Sequence, residues 1–160
     1  MRKFAICCAL ILAWLALGSA PAVAESRLPP PRNLAEDAAS NALEGRVLLV
    51  LFSQHGCPWC ERVRREFLIP IQRNETYRSR LAFRQIDVDR TTGLIDFGGG
   101  VTTHAAFART IGVRLYPTVM FFGPGGERLA EPLLGFNGSD FYGAFLDERI
   151  DQAAGKLRRE

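Results

Sequence analysis

Val47 to Phe52 reads VLLVLF, an apolar run with no polar interruption. A run of strand length without alternation fits a strand covered on both faces, and so a sheet with material packed above and below it. A few residues later comes Cys57-Pro58-Trp59-Cys60. Proline suits the first position of a helix, where a missing N–H costs nothing. A buried strand therefore runs into a helix at a cysteine pair. Beyond it Cys60, Val63, Phe67 and Ile71 recur at helical spacing and are expected to share one inward face. Pro70 is expected to kink this helix near its end.

The remaining segments fit around that unit. Asn33 reads as an N-cap with Glu36 as the returning half of a capping box, giving a helix to about Glu44 that stops at Gly45. Phe83 to Asp89 (FRQIDVD) reads as a strand, with Ile86 and Val88 on one side. Arg90 to Thr103, centred on Gly98-Gly99-Gly100, reads as an inserted surface loop; three glycines without a phosphate-cradling pattern carry no further claim. His104 to Ile111 is expected to be a short helix ending at Gly112, and Thr118 to Phe122 (TVMFF) a strand. A turn at Gly123 to Gly126 leads to a strand over Glu127 to Leu133, whose Pro132 suits a sheet edge. Ser139 is expected to cap a last helix carrying Tyr142, Phe145, Leu146 and Ile150. A full helix between the first two strands makes them parallel, and the last two form a hairpin. The expected fold class is α/β, a three-layer sandwich with a central mixed sheet and helices on both faces.

The amino terminus has the three parts of an export signal: basic Arg2 and Lys3, an apolar core from Phe4 to Leu17, and a small-residue exit at Ala22-Val23-Ala24. Its core is short for a membrane span, and Pro21 also favours cleavage after residue 24 over retention as a membrane anchor. The expected organisation is a signal over 1–24, a Pro-rich linker over 25–32 containing Pro29, Pro30 and Pro31, and one domain over 33–160. Cys7 and Cys8 lie within the apolar core and read as hydrophobic residues. The formal charge of +3 falls nearly to zero without the leader, which leaves 18 basic against 17 acidic residues. That balance excludes a nucleic-acid partner as an inference from charge.

Cleavage would leave Cys57 and Cys60 as the cysteines of the exported chain. A domain this long can stand on its apolar core, and a bridge closing so short a loop hardly constrains the unfolded chain. In an oxidising compartment such a pair reads as chemistry. A thiol at a helix N-terminus faces unpaired N–H groups and the positive end of the helix dipole, which stabilise its thiolate. Cys57 is thus the expected nucleophile and Cys60, one turn inward, the resolving thiol. Zinc would need a second ligand pair, and only His55 and His104 offer imidazoles. Two thiolates also suit Cu(I), so a copper or thiol carrier is an alternative; no metal is assigned.

A strand, CPWC opening a helix, and Tyr116-Pro117-Thr118 leading into a strand together resemble the thioredoxin superfamily, over about Val47 to Ile150. The resemblance implies a thioredoxin-like sandwich and a protein-disulfide oxidoreductase. It further implies that Pro117 is cis, beside the cysteine pair and pairing with substrate backbone, and that Tyr116 shapes partner choice; an ordinary trans turn is the alternative. The run Ser-Gln-His-Gly-Cys-Pro-Trp-Cys looks like the periplasmic SoxW-type thioredoxins, which implies a periplasmic reductase recharged by a membrane thiol transporter of the DsbD type. A DsbA-like oxidant is the alternative in the same class, although no sizeable helical insertion is present. Two departures stand out: Leu51 occupies the position of a common buried Asp, and Gly56 that of a common Trp. His55 and Pro58 are candidate tuners of the Cys57 thiol, His55 alternatively being a solvated loop residue. Trp59 offers a flat apolar contact to a partner, and Arg62, Arg64 and Arg65 read as a solvated helix face. The dithiol is its own redox couple, so no cofactor is expected. The expected partners are protein thiols and disulfides, met by a monomer.

Overall fold

Alternation along one strand organises the molecule, of which the computed structural model describes residues 27–159. The signal-like segment, its apolar core and Cys7 and Cys8 lie outside the described residues. Strand β1 (Val47–Ser53) is buried at every position. Successive side chains of a strand point to opposite faces, so Val47, Leu49 and Leu51 enter one core and Leu48, Val50 and Phe52 the other. Strand β2 (Leu81–Asp87) pairs parallel with β1, from Val47 opposite Leu81 to Ser53 opposite Asp87. On the other side β5 (Thr118–Phe122) pairs antiparallel, with Phe52 opposite Thr118, and the short β6 (Leu133–Leu134) completes the order β2-β1-β5-β6.

Helices cover both faces. Helix α1 (Leu34–Leu43) sends Leu34 and Ala38 into the core that holds Val50. Asn33 Oδ1 accepts from the Glu36 N–H at 3.1 Å, and the chain leaves the helix through Gly45 at φ +71°, the left-handed turn glycine adopts most readily. Helix α5 (His104–Thr110) adds Phe107 and Ala108 to the same side. On the opposite face lie α2 (Pro58–Val63), α3 (Ile69–Arg73) and the long α6 (Ser139–Leu157), while the short α4 (Glu75–Arg78) leads into β2. This is the expected three-layer α/β sandwich with a mixed sheet. No helix among the described residues is long and apolar enough to cross a membrane.

Several local expectations are corrected. A π-helical turn over Arg64–Leu68 joins α2 to α3, closed by the Ile69 N–H on the Arg64 carbonyl. The extra residue per turn shifts the buried face, so Leu68 and Ile69 are in the core and Phe67 and Ile71 only half-buried against it. The break comes on the turn before Pro70, where an α-helical bond to the missing proline N–H would otherwise be lost. The segment read as a loop contains a β-hairpin, β3 (Gly93–Ile95) with β4 (Val101–Thr103). Asp96 closes it by accepting from the N–H groups of Gly98 (2.9 Å) and Gly100 (2.8 Å), and Leu94 anchors it in the core.

The described part of the 25–32 segment is docked along the domain. Leu28 is buried, Pro29 O accepts from the Gln85 N–H at 3.0 Å, and Arg32 O accepts from Ile95 N–H at 2.9 Å. Prolines lack a donor but keep their carbonyls, which the linker reading overlooked. The strand expected over Glu127 to Leu133 shrinks to β6 and an isolated bridge at Arg128. Gly138, at φ +100°, holds the cap position of α6 in place of Ser139, whose hydroxyl accepts instead from Arg62.

Candidate active site

Strand β1 delivers its last residue, Ser53, into a tight loop, Gln54-His55-Gly56, that turns through Gly56 at φ +70°. The loop is pinned by the His55 N–H on Asp89 Oδ2 (3.1 Å) and the Cys57 N–H on Gln54 O (3.3 Å). Cys57 is the N-cap of α2 with extended backbone, Pro58 follows in the first turn, and Cys57 Sγ accepts from the Cys60 N–H at 3.1 Å. The two cysteines are joined in a disulfide, their Cα atoms 5.3 Å apart. Their environments differ sharply: Cys57 is half-buried beside a cleft, and Cys60 is only 1% exposed. An attacking sulfur needs access and a resolving sulfur needs only its neighbour. The geometry gives one sulfur that access and denies it to the other.

Trp59 projects from the first turn, 53% exposed, and stacks on Phe136 with centroids 5.5 Å apart. The Tyr116–Pro117 peptide bond is cis. Because Phe52 pairs with Thr118, Pro117 lies at the end of the sheet from which β1 delivers Cys57. Pro117 is buried and its carbonyl accepts from the Gly135 N–H at 2.7 Å, while Tyr116 is half-buried against the second core. His55 is exposed and lines the same cleft as Cys57, its backbone N–H held by Asp89; Pro58 is exposed in the helix's first turn. Among the described residues no group of three or more His, Cys, Asp or Glu converges as metal ligands. His104 sits instead at the start of α5, buried, with Nδ1 accepting from the Asp87 N–H at 3.2 Å. Burial pushes its pKa below the ordinary value, against the pull of the Pro31 backbone and the Asp87 charge.

Leu51 is fully buried among apolar side chains. The polar groups near the cysteines lie elsewhere, in a cleft of about 310 Å³ whose walls include Cys57, Glu61, Arg64, Gln85 and Asp87. Arg64 pairs with Glu61 and reaches Gln85 Oε1 at 3.5 Å, while Gln85 Nε2 donates to Asp87 Oδ1 at 2.8 Å. The reading of three solvated arginines fails here. Arg64 is drawn into this cleft, with its side chain only 12% exposed. Arg62 lies 5.0 Å over the Phe136 ring and donates to Ser139 Oγ at 2.8 Å; Arg65 is exposed. The spacing Cys57, Glu61, Arg64 was the available signal, since residues four and seven apart share a helix face. Gln85 and Asp87 could be placed only through the β1–β2 register.

The family model described as a thioredoxin-like domain matches residues 34–147. The chain belongs to the thioredoxin-like family. Among solved structures it is similar to a thioredoxin-fold protein from Helicobacter pylori, with 14% identity over 86% of this chain and 94% of that one, TM-score 0.55. It is also similar to a mutant poplar thioredoxin h, with 18% identity over 79% and 84%, TM-score 0.53. The periplasmic thioredoxin SoxS from Paracoccus pantotrophus aligns at 20% identity over 68% and 99%, TM-score 0.47. No curated protein matches the chain at a significant level. At such identities the Helicobacter and poplar structures show a shared fold with this chain and nothing finer.

Proposed function

We propose that this thioredoxin-like chain is an exported thiol–disulfide oxidoreductase that reduces disulfides of other proteins. One observation carries the reading: the cysteine pair closes at the start of a helix with Cys57 on a cleft and Cys60 buried behind it. In the reduced protein the Cys57 thiolate attacks a substrate disulfide. One S–S bond breaks as another forms, and the departing substrate thiolate takes up a proton. Cys60, deprotonated, then attacks Cys57 Sγ, releasing the second substrate thiol and restoring the Cys57–Cys60 disulfide. Two electrons have moved to the substrate, so a dithiol donor must recharge the protein; a membrane thiol transporter of the DsbD type is the proposed source. The leader-like residues 1–24 support export to the periplasm by cleavage of a signal.

Trp59 stands exposed between the two cysteines, and the cis Tyr116–Pro117 segment lies at the same end of the sheet, which supports roles for all three in docking. Insulin reduction driven by dithiothreitol, with the intact protein beside Cys57→Ser, tests the activity. Turnover by the first and none by the second is expected, and an inert dithiol that instead binds Cu(I) stoichiometrically would replace the enzyme with a carrier. Equilibration with glutathione reads direction: a potential near about −270 mV fits a reductase and one near about −120 mV an oxidant.

A further inference from the structure

Arg64 poses a question that its place on the helix does not answer. It could extend into water like Arg65, yet its side chain is largely covered and its Nε is buried with no partner among the described residues. Drawing a guanidinium inward costs desolvation free energy, and an unmet donor adds to that cost. The cation comes to rest where it shares a cleft with Cys57. Long helical side chains lean toward the helix N-terminus, which directs Arg64 back along the Cys57–Glu61 face. There it contacts the Glu61 carboxylate. The two charges oppose one another at the nucleophile: a nearby cation favours a thiolate and a nearby carboxylate disfavours it.

We propose that the Glu61–Arg64 pair tunes the cysteine couple, Arg64 stabilising the Cys57 thiolate and Glu61 offsetting that stabilisation, so that the pair holds the protein below the oxidising power Arg64 alone would give it. Both are positioning residues that act through Cys57. The inference rests on the oxidoreductase reading and adds to it what sets the direction of exchange. Other charges border the same cleft: Asp87, tied to Arg90 at 3.5 Å, then Arg27 and, in its protonated form, His55. They are unchanged in the variants below, so they shift the baseline and leave the differences.

Reduced protein is titrated by thiolate absorbance at 240 nm and separately equilibrated with glutathione, as wild type, Glu61→Gln, Arg64→Met, Arg64→Lys and the double variant Glu61→Gln/Arg64→Met. One charge at cleft distance in a partly solvated site changes the thiolate equilibrium by about fivefold. Glu61→Gln should raise the proportion of thiolate near neutral pH by about that factor and move the glutathione equilibrium toward reduced protein. Arg64→Met should do the reverse, Arg64→Lys should retain most of the wild-type value, and the double variant should return close to wild type. A purely structural role for Arg64 would make Lys and Met equivalent, and that result overturns the proposal. So does a Cys57 titration that no variant moves. Glu61 is about half exposed, so Glu61→Gln keeps the test decisive if Arg64→Met fails to fold. Absence of insulin turnover in wild type would instead remove the oxidoreductase reading beneath it.

Discussion

His104 should make the fold sensitive to mild acid in a way that can be isolated from every other group. It is 2% exposed, and its Nδ1 must be unprotonated to accept the Asp87 N–H. Its pKa is depressed, first by burial, with Arg90 adding to the depression. A histidine whose folded pKa lies below its unfolded value contributes stability above the unfolded pKa, and that contribution is lost as pH falls toward the folded one. With an unfolded value of about 6.5 and a native imidazole that stays neutral, going from about pH 7 to about pH 5.5 removes at most about 1.3 kcal/mol. Carboxylates titrate over part of that window too, so the comparison is with His104→Asn, whose carbonyl can keep the Asp87 N–H satisfied without titrating. Urea unfolding at both pH values should show a larger loss in wild type than in His104→Asn, by up to that amount. His104→Leu, which strands the N–H, should cost about 1–3 kcal/mol at pH 7. Equal pH dependence in wild type and His104→Asn would refute the reasoning.

Leu51→Asp, which places a carboxylate in a fully buried apolar site, should cost about 3–5 kcal/mol at pH 8 and visibly less at pH 4, where the acid is neutral; urea midpoints at the two pH values read it. Gly126 sits at φ +82°, and an added Cβ would lie 2.4 Å from Phe97 Cγ, so Gly126→Ala should lower the melting temperature by roughly 5–10 °C in calorimetry. Trp59→Ala removes an exposed ring and its stack on Phe136 at a cost of about 1 kcal/mol. Its larger effect should be a several-fold rise in KM for a protein disulfide, with small-disulfide reduction little changed.

The parts legible from sequence are those written in a few consecutive residues. VLLVLF fits a doubly covered strand, and proline after Cys57 at the end of that strand marks a helix start. Tyr116-Pro117 before an apolar strand carried the resemblance further than any composition could. What escaped depended on partners distant in sequence or on backbone detail. The 3–4–4 spacing of Cys60, Val63, Phe67 and Ile71 assumed an uninterrupted α-helix, and one π turn moved the burial to Leu68 and Ile69. Gly98 to Gly100 suggested looseness because the Asp96 carboxylate that ties the turn is polar and two residues away. Arg64 shares the Cys57–Glu61 spacing, but that spacing alone places it on a helix face and does not say that its charge leaves water while that of Arg65 stays in it.

The docked proline segment has a consequence for where the cysteines can work. Leu28 is already part of the core, and Arg27 borders the cleft beside Cys57. The chain therefore enters the domain on the side that carries the cysteine pair. Bulk joined ahead of Leu28 would stand beside Cys57, so an extension built there should hinder large disulfide clients more than small ones.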